Sequence, residues 1–164
     1  MRTHVGIVGA GPAGLLLSHL LHQAGIRSVV LESRSRREVE ETVRAGVLEH
    51  GTVELLKAVG LGGRLQREGA VHHGIELRFD GASHRIDLTA LTGRSITVYA
   101  QHEVIKDLIA ARLAADGDLR FGVSDVRLEN VGTAPEIHFR QDGAAQALNC
   151  DFVAGCDGSH GVSR

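Results

Sequence analysis

Gly9-Ala10-Gly11-Pro12-Ala13-Gly14, followed eighteen residues later by Glu32, is the first arrangement whose residue types and spacing can do chemistry. Glycines so placed bring backbone close to an anion. Gly9 permits a tight turn, Gly11 lets a pyrophosphate approach, and Gly14 allows a helix to pack closely on a strand. Pro12 suits the first helical position because its missing N–H has no intrahelical partner there. The free N–H groups near Ala13 then face phosphate charge at the positive end of the helix. Glu32 offers a carboxylate that can accept both hydroxyls of an adenosine ribose.

The flanking residues supply the elements that must position this motif. Residues 4–8 read as a short buried strand. A helix follows whose apolar positions are Ala13, Leu16, Leu17, Leu20, Leu21 and Ala24, and Gly25 stops it. Residues 28–31 form a second strand ending at Glu32, which completes a βαβ unit. Glycines alone would be a weak signal. Strand, helix, strand and acid in register point to a dinucleotide, with FAD and NAD fitting equally.

Farther along, Arg34, Arg36, Arg37, Glu38, Glu40 and Glu41 form a charge run, a solvated loop or short helix. Arg44-Ala45-Gly46 is by composition a surface turn, leading into a helix that carries Val53, Leu56 and Val59. An antiparallel excursion is expected over about 71–99, with Asp80-Gly81 turning a hairpin. The next helix places Val104, Ile105, Leu108, Ile109 and Leu113 on one face, and residues 119–121 return to the parallel sheet. Three strands near Val126, Ile137 and Ala147 make a β-meander over about 123–150, turned at Asp142-Gly143. It crosses to a last strand at 151–155. The loop beyond, with Asp157 and Gly158, is either a second phosphate or ribose contact or an ordinary loop. The fold class is therefore α/β, a Rossmann-like βαβ with a parallel sheet and a three-stranded antiparallel meander crossover.

Composition excludes other classes. Eighteen Lys and Arg against 20 Asp and Glu leave a net charge of -2, and one Tyr, four Phe and no Trp offer little for stacking bases, so no nucleic acid partner is expected. No run is apolar enough for a membrane span. Cys150 and Cys156, with no leader-like opening segment, read as reduced thiols of a cytoplasmic protein, and their spacing matches no metal site.

Four segments together carry a resemblance: the glycine motif, Arg44-Ala45-Gly46-Val47-Leu48-Glu49, Val98-Tyr99-Ala100-Gln101, and the terminal run Gly155-Cys156-Asp157-Gly158-Ser159-His160-Gly161-Val162-Ser163-Arg164. In order and spacing they resemble the single-component FAD-dependent aromatic monooxygenases, in their hydroxybenzoate-hydroxylating branch. The resemblance covers the whole chain and implies FAD, with NADH or NADPH as co-substrate. It places the adenosine and pyrophosphate on Gly9, Gly11, Ala13, Gly14 and Glu32. Arg44 falls on the pyrophosphate, and Ala45, Gly46 and Val47 fall along the flavin ring, with Thr42 and Val43 just before them. Gln101 falls on the ribityl or phosphate side. Asp157 and Gly158 support both cofactors, with His160 and Arg164 on the nicotinamide side. His72 matches a histidine that carries the substrate's phenolic proton to solvent, a task for which imidazole as a group is chemically suited. By residue type alone it is a surface histidine beside His73.

The implied reaction converts 4-hydroxybenzoate and dioxygen to 3,4-dihydroxybenzoate through a flavin hydroperoxide. Glu38 would repel the 2'-phosphate of NADPH, whereas Arg34, Arg36 and Arg37 would attract it; the reading leans towards NADH and keeps NADPH open. The resembled family continues past this chain into a substrate domain and a second FAD loop, so these residues are expected to be the N-terminal part of the FAD-binding domain and to have little activity alone. A homodimer is also implied. A hydroxylase of another phenolic acid such as 3-hydroxybenzoate, a non-catalytic FAD or ADP module, and half of an NAD-dependent dehydrogenase remain open.

Overall fold

Runs of apolar residues set the first elements. In the computed structural model, which describes residues 1–164, β1 (Arg2–Val8), α1 (Pro12–Gln23) and β2 (Ser28–Glu32) form the βαβ unit. Then come α2 (Arg36–Glu41), β3 (Val47–Leu48), α3 (His50–Ala58), α4 (Gly62–Glu68) and β4 (Ala70–His72). β5 (Gly74–Phe79), β6 (Ala82–Asp87), α5 (Leu88–Thr92), β7 (Ile96–Val98) and α6 (Gln101–Ala114) follow. The chain finishes with β8 (Asp118–Phe121), β9 (Ser124–Glu129), β10 (Glu136–Gln141) and β11 (Ala144–Gly155). It divides into two compact units, Met1–Thr42 with Ile105–Arg164, and Val43–Val104.

The first unit is built on a six-stranded sheet of order β8-β2-β1-β11-β10-β9. Its first four strands are parallel and the last two antiparallel. β2 is buried along its whole length, as a central parallel strand covered on both faces should be. Val8, Val29, Leu31, Val123, Ile137, Phe139, Leu148 and Cys150 form the core on one face.

Three expectations are corrected here. The strands expected at 147–148 and 151–155 are one twelve-residue strand, β11. Asn149 and Asp151 are exposed and alternate with Leu148 and Cys150, which enter the core across the supposed break. Its first half pairs antiparallel with β10 and its second half parallel with β1. In α1 the buried residues are Gly14, Leu15, Ser18 and His19, while Ala13 and Ala24 are exposed. Small residues at 14 and 18 let the helix lie close to the sheet. In α6 Leu113 is 38% exposed, and its neighbour Arg112 is the buried one, at 4%.

Both Asp-Gly turns form as expected. Asp142 and Gly143 have φ of 51° and 78°, and Asp80 and Gly81 have 50° and 71°, the left-handed pair of a tight hairpin turn.

The second unit holds two separate small sheets, β3-β7-β4 and β5-β6. It is larger than the excursion expected over 71–99, because α3, α4 and the short β3 also belong to it. Val53, Leu56, Val59, Leu65, Tyr99 and Val104 are its buried apolar side chains. α5 was not expected; Asp87 caps it by accepting from the Ala90 N–H at 2.9 Å.

Candidate functional site

At the carboxyl end of β1 the chain turns sharply into α1. Gly9 has φ +105°, and its N–H donates to the Leu31 carbonyl at 2.7 Å. A Cβ on Gly9 would lie 2.5 Å from the Cys156 carbonyl oxygen and 2.9 Å from the Asp157 Cα. The chain itself therefore demands glycine at position 9. Gly14 is equally constrained, since a Cβ there would run into the Gly9 carbonyl oxygen and lie 3.1 Å from the Cys156 Cβ. The Cys156 N–H donates to the Val8 carbonyl at 2.7 Å, which fixes the loop after β11 beside the turn.

Gly11 differs. The nearest atom to a Cβ there is the Cys156 carbonyl oxygen at 4.0 Å, so the chain's own packing does not require glycine. Gly11 is the N-cap of α1 and gives it no side-chain cap, and the first turn contains no acidic residue. The amide donors of that turn, Ala13 and Gly14, are left for an anion. Open room beside an uncapped helix start fits a pyrophosphate.

Glu32 lies at the carboxyl end of β2 and is 6% exposed. Its Oε2 accepts the Ala10 N–H at 2.8 Å, and its Oε1 accepts the Arg34 N–H at 3.0 Å and Nε–H at 3.1 Å. Burial alone would raise its pKa. The Arg34 and Ala10 amides and the Arg34 guanidinium outweigh that and hold the carboxyl below its ordinary range. Arg34 also reaches the Thr42 hydroxyl at 3.4 Å. Glu38 forms a capping box with Ser35 at the start of α2, and Arg36 and Arg37 pair with Glu40 and Glu41.

In the terminal loop, Asp157 accepts the Ser163 N–H at 3.1 Å and the Ser163 hydroxyl, and the space beside Gly161 is filled by its carboxylate. Burial pushes the Asp157 pKa up, but the Ser163 bonds win and leave it below the usual value. Gly158 takes a left-handed φ of +79°. His160 shares a hydrogen bond with Ser159 at 3.1 Å, and Arg164 donates to the Ser159 carbonyl at 2.6 Å. Sequence reasoning passed over Ser163. Its signal was a hydroxyl six residues after an acid in a glycine-rich loop.

The second unit holds the other expected positions. Arg44 and Ala45 are exposed, and Val43 is 80% exposed. Gly46 packs so tightly that a Cβ would lie 2.5 Å from the Ala100 Cα, and its carbonyl accepts the Tyr99 N–H at 2.7 Å. That contact ties the Arg-Ala-Gly segment to the residues just before Gln101, the first residue of α6. Val47 pairs with Val98 across β3 and β7, and Ala70 pairs with Val98 from the other side. His72 pairs with Ile96 and is exposed. Strand alternation therefore puts Val47, Val98, Ala70, Ile96 and His72 on one sheet face. The imidazole stands roughly 12 Å from Val47 by strand spacing. An exposed apolar surface bordered by a histidine suits a flat ring system.

Cys150 and Cys156 are free thiols, Cys150 buried and Cys156 half-buried, and burial raises both pKa values. No helix is long and apolar enough to cross a membrane.

Comparison with known proteins gives the family. A family model described as FAD binding domain matches residues 2–164. A p-hydroxybenzoate hydroxylase of Acinetobacter baylyi is 46% identical over 165 residues, covering 100% of this chain and 41% of the relative. A 12-dehydrotetracycline 5-monooxygenase/anhydrotetracycline 6-monooxygenase of Streptomyces rimosus is 30% identical, covering 100% of this chain and 32% of the relative. Among solved structures, an anhydrotetracycline hydroxylase from Streptomyces rimosus superposes with a TM-score of 0.85 at 28% identity, covering 99% of this chain and 33% of that one. A p-nitrophenol 4-monooxygenase from Pseudomonas putida, at 24% identity and TM-score 0.85 over 99% of this chain and 43% of its own, shows the same fold. The chain spans less than half the length of these relatives. With its glycine turn, its uncapped α1 and a match over nearly its whole length, the chain belongs to the FAD binding domain family of flavoprotein monooxygenases.

Proposed function

We propose that the protein carrying this chain hydroxylates 4-hydroxybenzoate to 3,4-dihydroxybenzoate, using NADH or NADPH and dioxygen. One oxygen atom enters the ring, the other leaves as water, and the nicotinamide supplies the two electrons. The observation that carries the cofactor half of this reading is the open room at Gly11 beside the uncapped start of α1. The 46% identity to a p-hydroxybenzoate hydroxylase supports the substrate half.

Bound FAD supplies the dioxygen chemistry. The chain's residues hold and shape it. Gly9, Gly11, Ala13 and Gly14 present backbone to the pyrophosphate. Glu32, braced by Ala10 and Arg34, faces the adenosine ribose. Arg44 makes no ion pair within the chain and is available to the pyrophosphate. Ala45, Gly46 and Val47 lie along the flavin ring, with Gln101 on the ribityl side. Asp157 and Gly158 hold the terminal loop for both cofactors, and His160 and Arg164 face the nicotinamide. His72 accepts the substrate's phenolic proton at an imidazole nitrogen and releases it to solvent. Because Arg34, Arg36 and Arg37 are all paired with carboxylates, the 34–41 run attracts a 2'-phosphate weakly, which favours NADH.

The test is product analysis with 4-hydroxybenzoate and each nicotinamide, after checking that the purified protein retains yellow flavin through gel filtration. Product from 3-hydroxybenzoate alone transfers the reading to that sister activity. Flavin retained without any product leaves a binding module. Bleached protein that turns over NAD overturns the flavin reading.

Two substitutions separate the roles. Arg44→Ala is expected to weaken FAD about tenfold, the loss of one charge-assisted bond, while changing unfolding free energy by less than about 0.5 kcal/mol because the side chain is exposed. Equal FAD affinity in the variant removes Arg44 from the site. His72→Asn should leave FAD retention intact and slow hydroxylation about 100-fold, with a flattened pH profile. An unchanged profile would assign the proton path elsewhere.

A further inference from the structure

Arg112, in the last turn of α6, is 4% exposed. Its Nε–H donates to the Ser18 hydroxyl at 3.1 Å, and Ser18 shares a hydrogen bond with Ser28 at 3.1 Å. Its Nη1 is buried without any hydrogen-bond partner, and no carboxylate pairs with the guanidinium. A buried charge held this way is costly unless something compensates it. Burial pulls its pKa below the ordinary arginine value.

The same side chain lines a cleft of about 430 Å³ in the first unit. The cleft sits where β1, β2 and β8 begin, at the opposite end of the parallel strands from the Gly9 turn, roughly 20 Å away by strand rise. Its other charged residues are Arg2, Arg27, Asp116 and Asp118, with His22 beside them. Arg2 is paired with Asp151 at 2.7 Å and Asp118 with Arg120 at 2.9 Å. Arg27 and Arg112 therefore face Asp116 alone, a local excess of one positive charge. Nε is held by Ser18, so the terminal edge of the guanidinium is the part left to bind. Two parallel N–H groups there match two oxygens of one oxyanion. Gly117 permits the arrangement, since a Cβ at that position would lie 2.7 Å from Nη2.

We propose that this cleft binds the oxyanion group of a small molecule, a carboxylate or a phosphate, with Arg112 as its buried counter-charge and Arg27 at its rim. The site is separate from the Gly9 turn, which lies at the other end of the strands.

Calorimetric titration of the chain with inorganic phosphate and with acetate tests it. FAD is kept in excess to fill the nucleotide site, and sodium chloride holds ionic strength constant. One saturable event is expected. Saturation by phosphate alone assigns a phosphate ligand, and by acetate alone a carboxylate ligand. Arg27→Ala should fold normally and weaken binding about tenfold, and Arg112→Gln should abolish saturation. If Arg112→Gln does not fold, Arg27→Ala decides. Neither anion saturating, or binding unchanged in Arg27→Ala, overturns the proposal.

Discussion

Gly9→Val is expected to destabilise the chain by about 3 kcal/mol and to abolish FAD retention. Two independent costs combine. A side chain at φ +105° pays about 1–2 kcal/mol for left-handed backbone. The new Cβ then meets the Cys156 carbonyl at 2.5 Å, and that backbone cannot retreat without breaking the 2.7 Å bond from Cys156 to Val8. Overpacking of this kind costs about 1–3 kcal/mol. Gly11→Ala separates fold from binding. With 4.0 Å of clearance it should cost no more than about 1 kcal/mol in urea unfolding, yet it should also lose FAD, because the methyl group occupies room left for the pyrophosphate. Full retention of flavin by Gly11→Ala would remove the α1 start from the site.

Glu32→Gln is expected to cost about 2 kcal/mol at neutral pH. The amide keeps the shape but loses the charge-assisted bonds from Arg34, and it turns an NH2 group towards a pocket that offers only donors. The pH dependence follows from the direction of the shift. The folded carboxyl is held below the unfolded value of about 4.3. Its stabilisation is fully present above that value and is lost as pH falls through the folded pKa. Urea midpoints across acidic pH should therefore converge for wild type and variant. Asp157 is depressed too, so some acid slope persists in Glu32→Gln. Parallel curves for the two proteins would show that Glu32 is not a source of acid sensitivity.

What could be read from the sequence was local and backbone-driven. Gly9, Gly14 and the Asp-Gly turns announce themselves because few other residues tolerate their conformations or contacts. The face of α1 did not, because Leu15, Leu16, Leu17, Leu20 and Leu21 surround most of the helix and periodicity cannot choose among them. Burial went to Gly14 and Ser18, whose smallness matters only against a sheet. The two- and three-residue strands β3 and β4 have no pattern long enough to detect; pairing with β7 creates them. Arg112 was hidden for a related reason. Its burial depends on Ser18, ninety-four residues earlier. At the site, spacing pointed to Glu32 and the terminal glycine-rich loop to Asp157, but their bonds to Ala10, Arg34 and Ser163 are side-chain geometry that spacing does not encode.

The twelve-residue β11 also governs when the molecule can exist. Arg2 pairs with Asn149, and the N-terminal ammonium reaches the Ala147 carbonyl at 3.0 Å, so β1 waits for a partner 146 residues further on. During synthesis β1 has one neighbour, β2, and an open, apolar hydrogen-bonding edge. Such late closure slows folding and leaves the nascent chain prone to pairing with other chains. The loop that wedges Cys156 against Gly9 emerges only after β11. The nucleotide turn acquires its final shape only as the ribosome finishes the strand that completes it.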